Sequence, residues 1–240
     1  MKKNFKEYIT FTNILVALAI IVYILNIFVV SPSTGSVAKE VMGSLSDQDP
    51  EMMPFYKVFF MILGTWGGHV NDIFNFQLDK VLSGEIWRNF TVVITHVHLP
   101  HIAMNMAALI IAGNHIEKRI GWKKTLLLFA ILITVNNFLC DIILFKIMGF
   151  DAVPSEGASG WITTLMGMIL MRCILDKKYK DRELKKGAVI YLIIYFVSTT
   201  FLLGFNVFTF TAHMLGMIAG MITEWIMQTM IKPKQAVETL

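Results

Sequence analysis

Four polar residues in strongly apolar parts of the chain have the types that acyl-transfer chemistry requires. Ser159 is the third residue of the sequence GASG, and His213 lies in a later apolar run. A serine hydroxyl becomes a nucleophile when a neutral imidazole accepts its proton. His101 and Asn105 are four residues apart, so one helix face could carry both as donors to an oxyanion, together with backbone N–H groups at a helix start. The four residues therefore indicate attack of a serine on a carbonyl carbon.

A dyad fits this set better than a triad, because an acidic partner for His213 is not evident in the sequence. Glu224 follows His213 by eleven residues, which is about 16 Å along a helix. Asp141 lies near the end of another apolar run, where a carboxylate is expected to reach the membrane surface or to cap a helix. We therefore predict a Ser159–His213 dyad.

Each of these features also has a structural interpretation. GASG is typical of helix starts and of small-residue packing surfaces, and a histidine in an apolar helix is about as often a packing group as a catalytic one. His96, His98 and His101 could together bind a metal ion, although a catalytic zinc site usually recruits a carboxylate or a ligand from a third helix. The chain contains no HExxH sequence, and Cys140 and Cys173 follow no metal-ligand spacing. We predict free, buried thiols, no metal and no cofactor.

The composition indicates the environment in which these residues must work. Of the 240 residues, 55% are hydrophobic and only 16% are charged, against about 25% in ordinary soluble domains. The mean hydropathy is +0.62. Such a chain has too little polar surface to cover a water-soluble globule, and the composition also excludes collagen-like, disordered and disulfide-scaffold proteins. The sequence therefore predicts an all-α membrane protein.

Charge-free runs divide the chain into six predicted spans without an internal repeat. They cover residues 11–30, 96–113, 122–145, 157–171, 188–203 and 208–227. The fourth run is short for a ~30 Å hydrocarbon core unless it extends to residue 175. The basic start followed by an apolar run also resembles a signal peptide, but the length of that run favours a retained helix. The predicted organisation is a short cytoplasmic N-terminus (1–10), a first transmembrane helix (11–30), a long external loop (31–95), a five-helix core (96–227) and a cytoplasmic tail (228–240).

The basic residues predict the orientation of these spans. With the N-terminus inside, the cytoplasmic segments hold 16 of the 21 lysines and arginines, as the positive-inside rule requires for N-in, C-in topology. Orientation therefore explains the net charge of +4 without a nucleic-acid partner. It also places Ser159, His213, His101 and Asn105 at similar depth on the external side.

Five motifs, in order along residues 84–227, resemble those of the rhomboid intramembrane serine proteases. The motifs are Trp87-Arg88 in the external loop, HxxxxHxxxN at His96, His101 and Asn105, GxxxExxxG at Gly113, Glu117 and Gly121, GASG at Gly157 to Gly160, and AHxxGxxxG at Ala212, His213, Gly216 and Gly220. Each motif by itself is weak, but five in the right order and in the right spans are highly specific.

The resemblance implies a six-transmembrane-helix rhomboid-type bundle in the lipid bilayer of the bacterial plasma membrane. It implies that Ser159 is the nucleophile, that His213 is the general base, and that His101 and Asn105, with the Ser159 N–H, form the oxyanion hole. The expected substrates are transmembrane segments of other membrane proteins, cleaved near the external side without a cofactor. The remaining motif residues are given structural roles, namely Trp87, Arg88, Gly157, Gly160, Gly216 and Gly220.

Two alternatives remain open beside this interpretation. A catalytically inactive rhomboid-like protein would bind transmembrane helices without cutting them. A small-solute transporter would also have several spans with polar groups inside, although transporters often show internal repeats. One departure from the family pattern bears on the first alternative. Many active members carry Tyr or Phe four residues after the nucleophile, stacked on the histidine, whereas this chain has Thr163. We expect another group, such as Phe210 or Trp161, to hold the imidazole instead.

Overall fold

The computed structural model describes residues 9–28, 69–96, 99–150, 154–176, 186–202 and 207–231. Regular structure in these ranges is helical, apart from a single β-bridge between Phe76 and Ser155. The prediction of an all-α chain is therefore confirmed. Residues 1–8, 31–68 and 232–240, which belong to the predicted N-terminus, external loop and tail, lie outside the described residues, as does His98.

The helices fall largely within the predicted apolar runs and within the second half of the predicted loop. In chain order they are α1 (Phe11–Phe28), α2 (His69–Phe74), α3 (Leu78–Leu82), α4 (Arg88–Thr91), α5 (Leu99–Ile120), α6 (Trp122–Asp141), α7 (Ser159–Leu175), α8 (Lys186–Val197) and α9 (Val207–Ile231). A 3₁₀ turn at Val92–Ile94 follows α4. Wider π-helical turns extend α6 over Ile142–Ile147 and α8 over Ser198–Leu202.

By length and composition, two helices of the described residues could each cross a membrane. They are Trp122–Ile147 and Val207–Thr229, and the bent pair Arg88–Ile94 with Leu99–Ile120 could supply a third crossing. Shorter apolar helices cover Phe11–Asn26, Ser159–Leu175 and Ala188–Phe201. The six spans and the N-in, C-in orientation remain predictions from the sequence.

The second predicted span differs from the helix found there. The sequence predicts a helix over 96–113, but α5 begins at Leu99 and continues to Ile120. Proline explains the later start, because a helix beginning at His96 would require an N–H from Pro100 for its first turn. In α5 itself, Pro100 lies in the first turn, where no intrahelical N–H is needed. His96 therefore precedes the helix instead of lying within it.

The described residues form two compact units. The first comprises the described parts of Met1–Thr12, Ala108–Ala152 and Ser159–Leu240, and the second those of Asn13–Ala107 and Val153–Ala158. In the first unit, α7 and α9 are in close contact at glycine. A Cβ built at Gly220 would lie only 1.9 Å from the Thr164 carbonyl oxygen, and one at Gly167 only 2.1 Å from the Met217 oxygen. Only hydrogen at these positions lets the two backbones approach so closely.

Gly220→Ala is expected to destabilise the first unit strongly. The added methyl group would overlap backbone atoms of α7, which cannot move away without separating the two helices. Thermal unfolding in detergent should show a lowered midpoint of several degrees. Gly113→Ala is the matched control, because its added Cβ would meet mainly side-chain atoms of Thr12 and Leu109. An equal midpoint for the two variants would contradict the proposed backbone contact.

Charged side chains of α5, α7 and α9 stabilise the first unit through hydrogen bonds and ion pairs. The Glu117 carboxylate on α5 caps the start of α1, where its oxygens accept hydrogen bonds from the Phe11 N–H at 2.7 Å and the Thr12 N–H at 2.9 Å. The fully buried Glu224 on α9 pairs through both carboxylate oxygens with Arg119 of α5. Arg172 of α7 lies 3.7 Å from the same carboxylate. Glu224 is therefore part of an ion-pair cluster, which agrees with the prediction that it does not orient His213.

Candidate active site

Glycine directs the chain into α7, where Ser159 is the first residue. Gly157 has φ +110°, a conformation that side chains other than hydrogen rarely allow. Its N–H donates to the Val92 carbonyl at 3.0 Å within the second unit. Ser159 then starts a helix whose first N–H groups have no intrahelical acceptors. A helix start of this kind attracts negative charge that develops beside it.

The register between α7 and α9 sets His213 close to the level of that helix start. A Cβ at Gly216 would lie 2.7 Å from the Gly160 oxygen, while one at Gly220 would meet the Thr164 oxygen four residues further along α7. The two helices therefore run in the same direction where they touch. His213 lies one turn before Gly216 and is 1% exposed. The same offset of 56 residues places His213 two residues, or about 3 Å along the helix axis, before the level of Ser159.

The imidazole of His213 contacts a residue that was not singled out from the sequence. Thr200 Oγ1 lies 2.9 Å from His213 Nδ1, and both side chains are buried, each with 1% exposure. Thr200 belongs to the π-helical turn that follows α8. In the sequence, a hydroxyl residue in the apolar run before His213 is the only sign of such a partner. Ser198, Thr199 and Thr200 are consecutive in that run, and only the fold distinguishes among them.

Thr163 occupies the helix contact instead of supporting the histidine. Its hydroxyl donates to the carbonyl oxygens of Ser159 and Gly160, each at 3.0 Å. A Cβ at Gly216 would lie 2.6 Å from Thr163 Oγ1, so the threonine packs directly against α9. The contact between the two helices is too close to accommodate an aromatic side chain at this position without moving them apart.

The two aromatic residues expected to hold the imidazole have contacts elsewhere. Trp161 packs edge-on against Phe129 of α6, with ring centroids 5.4 Å apart. Phe210 packs against Phe201 with centroids 6.0 Å apart. The hydrogen bond with Thr200 supports the imidazole of His213, and support from an aromatic ring stays a prediction.

In the second unit, His101 and Asn105 lie beside Gly157, and Gly157 precedes Ser159 by two residues in the chain. A Cβ at Gly157 would be 2.8 Å from His101 Nε2 and 3.3 Å from Asn105 Nδ2. The Asn105 Nδ2 also lies 3.0 Å from His96 Nε2, and Asn105 is fully buried. His96 and His101 pack edge to face with centroids 4.9 Å apart. The structure therefore brings the three polar residues of the HxxxxHxxxN sequence into mutual contact, with His101 and Asn105 beside Gly157.

Arg88 and Trp87 organise the described part of the predicted external loop. The buried Arg88 Nη1 donates to the carbonyl oxygens of Asp72 at 2.6 Å and Asn75 at 3.1 Å. Its Nε pairs with Glu85 at 2.5 Å. The Trp87 indole N–H donates to the Ile73 carbonyl at 3.2 Å. These contacts hold backbone of α2 against α4, which is a structural role.

A half-buried carboxylate completes this polar network in the second unit. Glu156 accepts a hydrogen bond from Asn71 Nδ2 at 2.8 Å, and the same nitrogen donates to the His96 carbonyl at 3.1 Å. Burial raises the pKa of the Glu156 carboxyl above its usual range, while hydrogen bonds from Asn75 and Asn71 act in the opposite direction. In the residues that the structure describes, no three His, Cys, Asp or Glu side chains are grouped as metal ligands.

Comparison with known families identifies the class of protein that this helical arrangement belongs to. Residues 83–229, more than half of the chain, match the family model described as Rhomboid domain. The chain therefore belongs to the rhomboid family, and with its membrane-length apolar helices it is an integral membrane protein.

Individual relatives support the same assignment. The Rhomboid protease GlpG of Salmonella paratyphi A (strain ATCC 9150 / SARB42) is 28% identical over 144 residues, which are 60% of this chain and 49% of that protein. The Rhomboid protease GlpG of Salmonella typhi matches with the same identity and coverage. The chain thus spans about half the length of the curated relatives it matches.

Proposed function

We propose that this chain is an intramembrane serine endopeptidase that cleaves transmembrane segments of other membrane proteins by a Ser159–His213 dyad. The observation that carries the proposal is the parallel contact of α7 and α9. Its register supports the dyad because it puts His213 within two residues of the level of Ser159, while Thr200 contacts the imidazole nitrogen Nδ1 at 2.9 Å. Membership of the rhomboid family and similarity to proteins named as proteases support the same activity.

The proposed reaction follows the chemistry of a serine hydrolase. His213 Nε2 accepts the hydroxyl proton while Ser159 Oγ attacks the carbonyl carbon of the scissile peptide. The imidazolium then gives that proton to the leaving amine, and the carbon–nitrogen bond breaks. A water molecule, deprotonated by His213, attacks the acyl carbon and releases both the carboxylic acid product and Ser159. His101, Asn105 and the Ser159 N–H are proposed to stabilise the oxyanion in both steps.

Physical constraints define the substrate class. In an intact transmembrane helix, hydrogen bonds and side chains hide each peptide carbonyl, so the substrate must unwind locally before attack. Small or helix-breaking residues make unwinding less costly. With the predicted N-in, C-in orientation, the dyad lies near the external side of the plasma membrane, and we propose single-pass proteins cut near that side as substrates.

A serine-directed phosphonylation experiment tests the proposal without a known substrate. The intact protein in detergent is incubated with a fluorophosphonate probe, in which attack by Ser159 Oγ forms an oxygen–phosphorus bond and releases fluoride. We expect labelling at Ser159, located by mass spectrometry, and its loss in His213→Ala because the hydroxyl is then not activated. Ser155→Ala, which changes a serine with backbone contacts to Phe76, is the control for ordinary serine removal.

The same experiment separates the active enzyme from the inactive alternative. An inactive rhomboid-like helix-binding protein would leave Ser159 unlabelled under conditions that label a reference serine hydrolase. Equal labelling of the parental protein and the His213→Ala variant would also contradict the dyad, since the serine would then react without its proposed base.

A further inference from the structure

We propose that Thr200 is the positioning residue of the catalytic base, holding His213 in the tautomer that can accept a proton from Ser159. This inference rests on the proposed function, because it concerns the base of the same dyad. It assigns to a threonine hydroxyl the task that a carboxylate performs in a Ser-His-Asp triad.

The geometry supports a defined hydrogen bond rather than an incidental contact. Thr200 Oγ1 and His213 Nδ1 are 2.9 Å apart, which is a normal hydrogen-bond separation, and both side chains are buried. A hydrogen bond between two side chains that are each only 1% exposed is strengthened by shielding from bulk solvent. The contact joins two different helical segments, so it restricts rotation of the ring about its side-chain bonds.

The chemistry of neutral imidazole explains why this contact matters for catalysis. A neutral histidine has one protonated ring nitrogen and one that can accept a proton. If Nε2 is to accept the Ser159 proton, Nδ1 must carry the hydrogen, and a buried N–H requires an acceptor. Thr200 Oγ1 is such an acceptor. As Ser159 loses its proton, the same oxygen also stabilises the imidazolium, although less than a carboxylate would.

The backbone around Thr200 gives it an orientation that its neighbours do not share. Thr199 Oγ1 donates to the Tyr195 carbonyl at 2.8 Å, and Ser198 Oγ donates to the Ile194 carbonyl, so both hydroxyls serve their own helix. Thr200 instead bonds to α9. The π-helical turn over Ser198–Leu202 changes the residue spacing at this point, and such turns are frequent at functional sites.

A hydrogen bond with Thr200 would also support His213 in a chain that has Thr163 at the position where many family members carry an aromatic residue. Thr163 packs into the contact with Gly216, and its hydroxyl bonds to α7 carbonyl groups. A hydrogen bond to Nδ1 then supports the ring from a segment other than α7. The base is thereby held by the segment that follows α8 rather than by α7.

Thr200→Val tests this role because valine keeps the branched shape and removes the hydroxyl. We expect the maximal rate of phosphonylation of Ser159 by a fluorophosphonate to fall about 10- to 100-fold, with little change in the probe concentration for half-maximal rate. Thr200→Ser should restore most of the rate. Thr199→Val is the matched control and should react like the parental protein, since its hydroxyl does not reach the histidine.

A spectroscopic readout on the same variants is independent of any reaction. With ¹⁵N-labelled histidine, the His213 signals (assigned by their loss in His213→Gln) should report the Nδ1–H tautomer in the parental protein and in Thr200→Ser. The Thr200→Val protein should show a reduced fraction of that tautomer. Thr200→Ala repeats the comparison if valine disturbs packing, as judged by thermal unfolding.

The outcomes separate this inference from the protease proposal. An unchanged tautomer and an unchanged phosphonylation rate in both Thr200→Val and Thr200→Ala would overturn the role of Thr200. Loss of rate that Thr200→Ser does not restore, with the tautomer unchanged, would also overturn it by indicating a packing role. A parental protein with an unreactive Ser159 would contradict the protease proposal, while the tautomer measurement would still support or overturn the hydrogen bond.

Discussion

Ser159→Ala and His213→Ala are each expected to reduce cleavage of a membrane substrate by on the order of 10⁴-fold or more, which would be measured as abolished activity. Without the hydroxyl there is no nucleophile to form the acyl intermediate, and without the imidazole nothing accepts its proton. Because the two residues act as a unit, the double variant should be no less active than either single one. The measurement is cleavage of a fluorogenic single-pass peptide in liposomes that contain the purified protein.

The controls for this prediction remove the same chemical groups elsewhere. Ser155→Ala removes a hydroxyl from a residue whose described contacts are made by its backbone. His115→Ala removes an imidazole from α5, where the side chain is half-buried. Both should retain most of the parental rate. Cleavage at the parental rate by Ser159→Ala or by His213→Ala would contradict the dyad.

Asn105→Ala is expected to lower the turnover number by about 10²- to 10³-fold without abolishing it. Removing one donor from an oxyanion hole typically has this effect, because the developing negative charge loses a pre-oriented hydrogen bond while the nucleophile remains. The loss should appear in kcat more than in KM, since the donor acts mainly on the transition state. Kinetics of the same fluorogenic peptide in liposomes provide the measurement.

Asn114→Ala is the matched control for this second prediction. Asn114 lies on the same helix, and its side chain bonds to the Ile110 carbonyl and to Thr10. Its removal should leave kcat within a few-fold of the parental value. A loss in Asn105→Ala no larger than that in Asn114→Ala would contradict a role in the oxyanion hole. The contact of Asn105 with His96 makes thermal unfolding a necessary companion measurement, so that loss of stability is not taken for loss of catalysis.

Sequence patterns were most informative where a residue type is required by backbone geometry or by the membrane. Gly157 precedes α7 with a positive φ, and Gly220 lies where a methyl group would overlap α7 backbone. Both positions belong to motifs that could be read directly from the sequence. The membrane class followed from composition alone, because a bilayer accepts few charges. The prediction of a helix start at His96 is wrong, since His96 lies outside α5, and Pro100 disfavours a helix that begins there.

Partners brought together from distant parts of the chain were the least predictable. Glu117 is recognisable in the sequence from the GxxxExxxG motif, but only the structure shows that it caps α1, more than one hundred residues earlier. Aromatic support for His213 stays a prediction, and the structure shows that Trp161 packs on Phe129 and Phe210 on Phe201. Thr200, which was not singled out from the sequence, contacts the imidazole through a hydrogen bond.

By itself, the sequence determined a membrane-embedded, helical chain of the rhomboid family, with candidate catalytic residues in a recognisable order. Only the tertiary structure decided which hydroxyl meets the His213 ring and which carboxylate caps which helix. The reason is physical. An apolar run such as that of α8 has hydrophobic residues on every side, so its periodicity carries little information about which face turns towards α9. That rotation is settled by packing, and packing places Thr200, instead of Ser198 or Thr199, against the imidazole.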